Sequence, residues 1–176
     1  MKYQDCAEAL QAGGDAEHGD DAEHGSLADA NINPATGLAT DYLNHFNEAI
    51  MLLEMLASCP DCRDDLFAWQ PMSYRQHFEA SSFKGRAMAI AAYESADADV
   101  RGSLDTLAGA MTTVLAATRA AMSADMPQDA AAVLANRAAA LLKPLVARAG
   151  AVINGEDNAD AGDQASPQAA VDRLMK

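Results

Sequence analysis

Two short stretches of this chain hold the residue types and spacings that chemistry needs. The first is residues 40–57, TDYLNHFNEAIMLLEMLA, where Asp41, His45 and Glu48 stand at i, i+4 and i+7. On a helix these three stack on one face. Carboxylates beside an imidazole suit a divalent metal such as Fe, Mn or Zn, or a proton relay, when a neighbouring helix completes the set. The second is Cys59-Pro-Asp-Cys62. Two thiolates three positions apart can share a zinc ion or form a redox pair. Each has an ordinary reading as well. Charged side chains prefer water, which would make the first trio a solvated face. The cysteine count of three, with no secretory signal, would make the thiols plain and reduced.

Neither stretch is complete by itself. Further ligands for His45, Glu48 and Asp41 would come from His77, Glu79 or Glu94 on the next helix. A carboxylate-bridged di-metal centre needs Glu-x-x-His on two helices. Here the order is reversed, His45-x-x-Glu48, so the likeness to ferritin-like proteins is partial and covers one helix. A structural zinc needs four ligands, and there is no second C-x-x-C. His45 is a poor partner for Cys59, since fourteen helical residues span roughly 21 Å. A thioredoxin-like reading of Cys59 and Cys62 needs a βαβ context that the sequence lacks. G-x-S-x-G is absent, and Ser82-Phe-Lys-Gly-Arg86 lacks the spacing of a phosphate loop. The expectation is a protein without catalysis and with no cofactor, a carboxylate–histidine metal site or a Cys59/Cys62 switch being the alternatives.

The elements that would position these residues are helices. In the first stretch Tyr42, Phe46, Ala49, Ile50, Leu53 and Ala57 recur at helical spacing and form a face to bury. The end of that helix is apolar all round. Met51, Leu52, Met55 and Leu56 are therefore the candidates for a contact with a partner protein or a second copy of the chain. Pro60 ends the helix. Leu66, Phe67 and Trp69 then crowd between Pro60 and Pro71, with Met72 next after it, a connector expected to plug one end of the core with Phe67 and Trp69. Ser73-x-x-Gln76 is a capping box, which predicts a second helix from Tyr74 through Tyr93, bent near Ser81, Ser82 and Gly85. A third, capped by Asp97 or Asp99, carries a seam of Leu104, Leu107, Met111, Val114, Thr118 and Met122. The fourth begins after Pro127, with a seam of Leu134, Ala138, Leu141, Leu145 and Val152, a kink at Pro144, and a stop at Asn154-Gly155. The predicted fold is all-α: an antiparallel four-helix bundle over residues 34–153, between an acidic disordered arm at 1–33 and an acidic polar tail at 154–176.

Composition agrees with that outline. The apolar half is dominated by alanine and only 5% of residues are aromatic, which suits closely packed helices. The net charge of −14 divides as −7, −4 and −3 over residues 1–33, 34–153 and 154–176, so most of it lies outside the predicted bundle. The arm contains DAEHG twice, with His18 and His24, and too little apolar mass to repay ordering. Clustered Lys and Arg are missing, which argues against nucleic acid and an anionic membrane surface. No apolar run approaches the roughly 20 residues of a membrane span. A cytoplasmic protein acting through protein contacts is the expectation.

Overall fold

The computed structural model describes residues 27–122 and 125–156. They are mostly helical, with one small two-stranded sheet. Cys6, the DAEHG repeats and all but the first residues of the predicted tail lie outside the described residues.

The sheet was not foreseen. β1 (Ile32–Asn33) and β2 (Leu38–Ala39) pair antiparallel, Ile32 opposite Ala39 and Asn33 opposite Leu38. The turn between them needs Gly37, whose φ is +69°. A Cβ there would stand 2.9 Å from the Ala92 carbonyl oxygen, so a side chain is excluded by both conformation and space. The hairpin is bound into the molecule on several sides. Thr36 Oγ1 donates to the Ile153 carbonyl (2.6 Å), and the Ala39 amide donates to Tyr74 Oη (2.9 Å). Ile32, which the sequence assigned to the acidic arm, is buried in the core. The ordered fold therefore starts before residue 34.

A 3-10 turn (Thr40–Tyr42) leads into α1 (Leu43–Met55). α1 buries Phe46, Ala49, Ile50 and Leu53 of the face that its spacing predicted, whereas Ala57, the last residue of that face, lies beyond the helix and is exposed. The stretch expected to be a connector contains a short helix, α2 (Cys62–Ala68), which packs on α1 through Leu66. The predicted second helix is two helices, α3 (Tyr74–Ala80) and α4 (Arg86–Ser95), packed on one another. Ser73 and Gln76 make both bonds of the capping box at the start of α3. At its end Ser81 turns extended and its hydroxyl donates back to the Phe78 carbonyl, which breaks the helix where a bend was expected.

α5 (Ala98–Ala121) is capped by Asp97, whose Oδ1 accepts from the amides of Asp99 and Val100. It buries Leu104, Met111, Val114, Leu115 and Thr118 as its spacing predicted, with Leu107 half-buried. α6 (Gln128–Asn154) packs along both α5 and α1. Its seam differs from the predicted one. Ala131, Ala135, Ala138, Leu142, Ala149 and Ile153 are buried, while Leu134, Leu141, Leu145 and Val152 are half-buried at the flanks. The physical reason is size. Alanines at the line of closest approach let α6 lie close to two neighbours, and the leucines fill the angles on either side. The helix runs on through Pro144, and Pro144 and Ala140 are both exposed. It stops at Gly155, φ +70°, with the Glu156 amide donating to the Ala151 carbonyl. Among the described residues α6 is also the one helix long and apolar enough, by length and composition, to cross a membrane.

The aromatic side chains are not spread through this core. Phe83, Phe78, Tyr74, Tyr93, Tyr42, Phe46 and Trp69 form one connected array with His45 and His77, ring to ring at 4.5–6.2 Å. α5 and α6 contribute no aromatic residue to it. One side of the molecule is thus alanine and leucine packed closely, and the other is stacked rings.

Candidate functional site

The candidate site lies in the aromatic half, where α1 and α3 bring two imidazoles together. His45 is only 4% exposed, although the ordinary sequence reading left it on a solvated face. Its ring lies on the Trp69 indole, centres 4.5 Å apart and planes 21° apart. The indole Nε1–H in turn donates to the His45 carbonyl (3.1 Å). The His77 ring, half-buried, is 6.0 Å from that of His45 and packs edge-on against Tyr42 and Phe78.

The backbone carbonyl of Gln70 acts on the His45 imidazole and that of Asp41 on His77, each favouring the protonated ring. His45 Nε2 is buried and has no hydrogen-bond partner among the described residues. Burial, before any other cause, lowers both imidazoles below their ordinary range. For His45 the neighbouring His77 adds to the lowering, and the Gln70 carbonyl and Glu48 oppose it. For His77 Asp41 opposes it, through its charge and its carbonyl. Both rings are consequently neutral at pH 7. They line an open depression of about 260 Å³ together with Asn44, Glu48, Met72, Ala80 and Ser81.

The remaining metal candidates divide. Glu48 is exposed at the rim of this depression, one helical turn beyond His45. The Asp41 carboxylate is engaged by Asn31, accepting from its Nδ2 at 2.7 Å. Glu79 and Glu94 are tied to each other's neighbourhood by Arg75, which bonds both at 2.8 and 2.7 Å on the protein surface. The six residues therefore do not converge, and among the described residues no group of three or more His, Cys, Asp or Glu stands ready to hold a metal ion.

Cys59 and Cys62 are free thiols, half-buried and buried, joined by a hydrogen bond. That bond, then burial, then the charges of Asp65 and Asp61 push the Cys62 thiol up to about 11. This is the opposite of the lowered value that an attacking thiol needs.

Of the contact candidates, Met51 and Met55 are 52% and 42% exposed and Leu52 is half-buried. Leu56, the residue that caps the C-terminal end of α1, is not available, being fully buried in the core. Phe67, expected to plug the core, is 42% exposed, and Trp69 alone turns inward. The sequence reading missed Gln70 and Met72. The signal for them was weak: both lie in the loop next to the buried tryptophan, where chain direction, not side-chain type, decides what faces the site. No family model matches the chain, and no curated protein or solved structure is significantly similar to it.

Proposed function

We propose that this chain is a non-enzymatic helical-bundle protein that acts through protein–protein contact, as an adaptor, regulator or oligomeric accessory protein. The observation that carries this reading is the Met51–Met55 pair. These are large apolar side chains at i and i+4, both exposed, on the side of α1 away from its buried face. Methionine is flexible and polarisable and adapts to a partner's surface. The antiparallel four-helix arrangement belongs to this reading too, with α1, α5 and α6 as three members and the α3–α4 pair as the fourth. A cytoplasmic location fits, since α6 uses its apolar stripe against α1 and α5 and carries Arg137, Lys143 and Arg148 on its exposed side. The partner is a protein or a second copy of the chain, with neither nucleic acid nor membrane expected.

The test is Met55→Glu in the full chain, followed by sedimentation and by crosslinking to co-purifying protein. The expected result is loss of self-association or of the crosslinked partner, with far-ultraviolet circular dichroism unchanged. Association of the same strength in wild type and variant overturns the reading.

A further inference from the structure

We propose that Cys59 and Cys62 form a reversible dithiol–disulfide site, which a low-molecular-mass disulfide of the glutathione class oxidises to a bond that the fold accepts without rearrangement. The site is independent of the contact surface on α1. Residues 59–62 make one tight turn, closed by the Cys62 amide donating to the Cys59 carbonyl (3.1 Å). The same spacing continues into α2, with the Arg63 amide on the Pro60 carbonyl (3.1 Å) and the Asp64 amide on the Asp61 carbonyl (3.0 Å). Asp61 has φ −66° and ψ −21°, the dihedrals of a 3-10 turn. In that conformation side chains three apart stand one above the other, and a rise of about 2.0 Å per residue leaves their Cα atoms roughly 6 Å apart. A disulfide needs Cα atoms roughly 4.4–6.8 Å apart.

Burial points both thiols the same way. Cys62 is buried in the core, and half-buried Cys59 packs against that core, while Pro60 and Asp61 between them are exposed. Pro60 presets its own φ at about −65°, so the turn is already formed in the reduced chain. Atoms and electrons balance as follows. The Cys59 thiol, nearer solvent, gives its proton to water and attacks one sulfur of the glutathione disulfide, and the first glutathione leaves as a thiolate and is protonated. The Cys62 thiol then loses its proton to water and attacks the Cys59 sulfur, expelling the second glutathione, which is protonated in turn. Two protein thiols are oxidised to one disulfide, and one glutathione disulfide is reduced to two thiols. The raised Cys62 thiol works with the geometry, because it denies the reduced pair the thiolate stabilisation that makes a disulfide easy to reduce.

The experiment equilibrates the full chain carrying Cys6→Ser, which leaves this pair as its only thiols, with mixtures of reduced and oxidised glutathione, then reads intact mass after acid quench. The expected result is loss of two hydrogens with no glutathione retained and far-ultraviolet circular dichroism unchanged. Adding Cys62→Ser should leave one glutathione on Cys59. In urea that unfolds the chain, ring closure should be about tenfold or more less favourable than in the native chain, since the turn is no longer held. The proposal is overturned if glutathione stays on Cys59 with Cys62 present, if neither thiol changes at any ratio, if the disulfide joins two chains, or if closure is as favourable in urea as in the native chain.

Discussion

The His45 imidazole and the Trp69 indole lie face to face, 4.5 Å between ring centres, and are tied a second time by the indole N–H on the His45 carbonyl. One side chain thus orients the ring and holds its backbone. Trp69 is the only tryptophan of the chain, so its emission reports this contact directly.

Removing the indole should therefore be costly. Trp69→Ala should lose about 3–5 kcal/mol of folding stability, the usual range for a buried large aromatic. Trp69→Phe should lose less, keeping part of the stack and giving up the hydrogen bond. Urea unfolding followed by circular dichroism checks both, and equal losses in the two variants would show that the stack contributes nothing.

The two imidazoles should make stability depend on pH in one direction. Both are held below their ordinary value of 6.5 in the fold. As pH falls through that value the unfolded chain takes up protons first, so the unfolded state is favoured. Stability is accordingly full above about pH 7.5 and declines as pH falls below 6.5, until the folded rings are protonated as well. Urea midpoints at pH 8, 6.5 and 5 should fall in that order. In His77→Gln the decline should be shallower, since one titrating ring is gone and the repulsion on the other with it.

The thiol pair should be slow to react in the native protein. With the Cys62 thiol pushed up to about 11, roughly one in a thousand is thiolate at pH 8. Alkylation at pH 8 followed by peptide mapping should leave Cys62 unmodified until the chain is unfolded by urea. Fast native labelling of Cys62 would mean that its bond to Cys59 does not persist.

The seam on α6 can be tested by overfilling it. Ala135 is fully buried where α6 meets its neighbours, so Ala135→Leu should cost about 1–3 kcal/mol. Val133 is 54% exposed, and Val133→Ala should change stability by no more than about 0.5 kcal/mol. If the two effects were reversed, the register of α6 would be that of the leucine seam.

Much of the helical framework could be read in advance from local signals. The Ser73–Gln76 box, the Asp97 cap and the Asn154-Gly155 stop act within a few residues of chain, and all three appear at the predicted positions. The buried face of α1 was legible for the same reason, because its large apolar residues repeat without ambiguity. On α6 they do not. Alanine and leucine alternate there, and the choice of the alanine line depends on how near two other helices come, which periodicity does not contain. The hairpin was hidden too, since two-residue strands leave no alternating pattern and what holds them is Ile153 and Tyr74, far along the chain. His45, Glu48 and His77 stood out by residue type alone, as did Asp41, Glu79 and Glu94. That His45 is covered, and that Arg75 claims Glu79 and Glu94, follows only from the return of the loop at Trp69 and the packing of α4 on α3.

The Thr36 hydroxyl on the Ile153 carbonyl bridges 117 positions of sequence. Closing a loop of that length costs about 4 kcal/mol in chain freedom before anything is gained. The clasp therefore has no way to lead assembly and must wait until α6 has settled on its neighbours. By the same reasoning it should be first to let go. In native-state hydrogen exchange the Leu38 and Ala39 amides should open at lower free energy than the middle of α5, so that the molecule unbuttons from the hairpin inward.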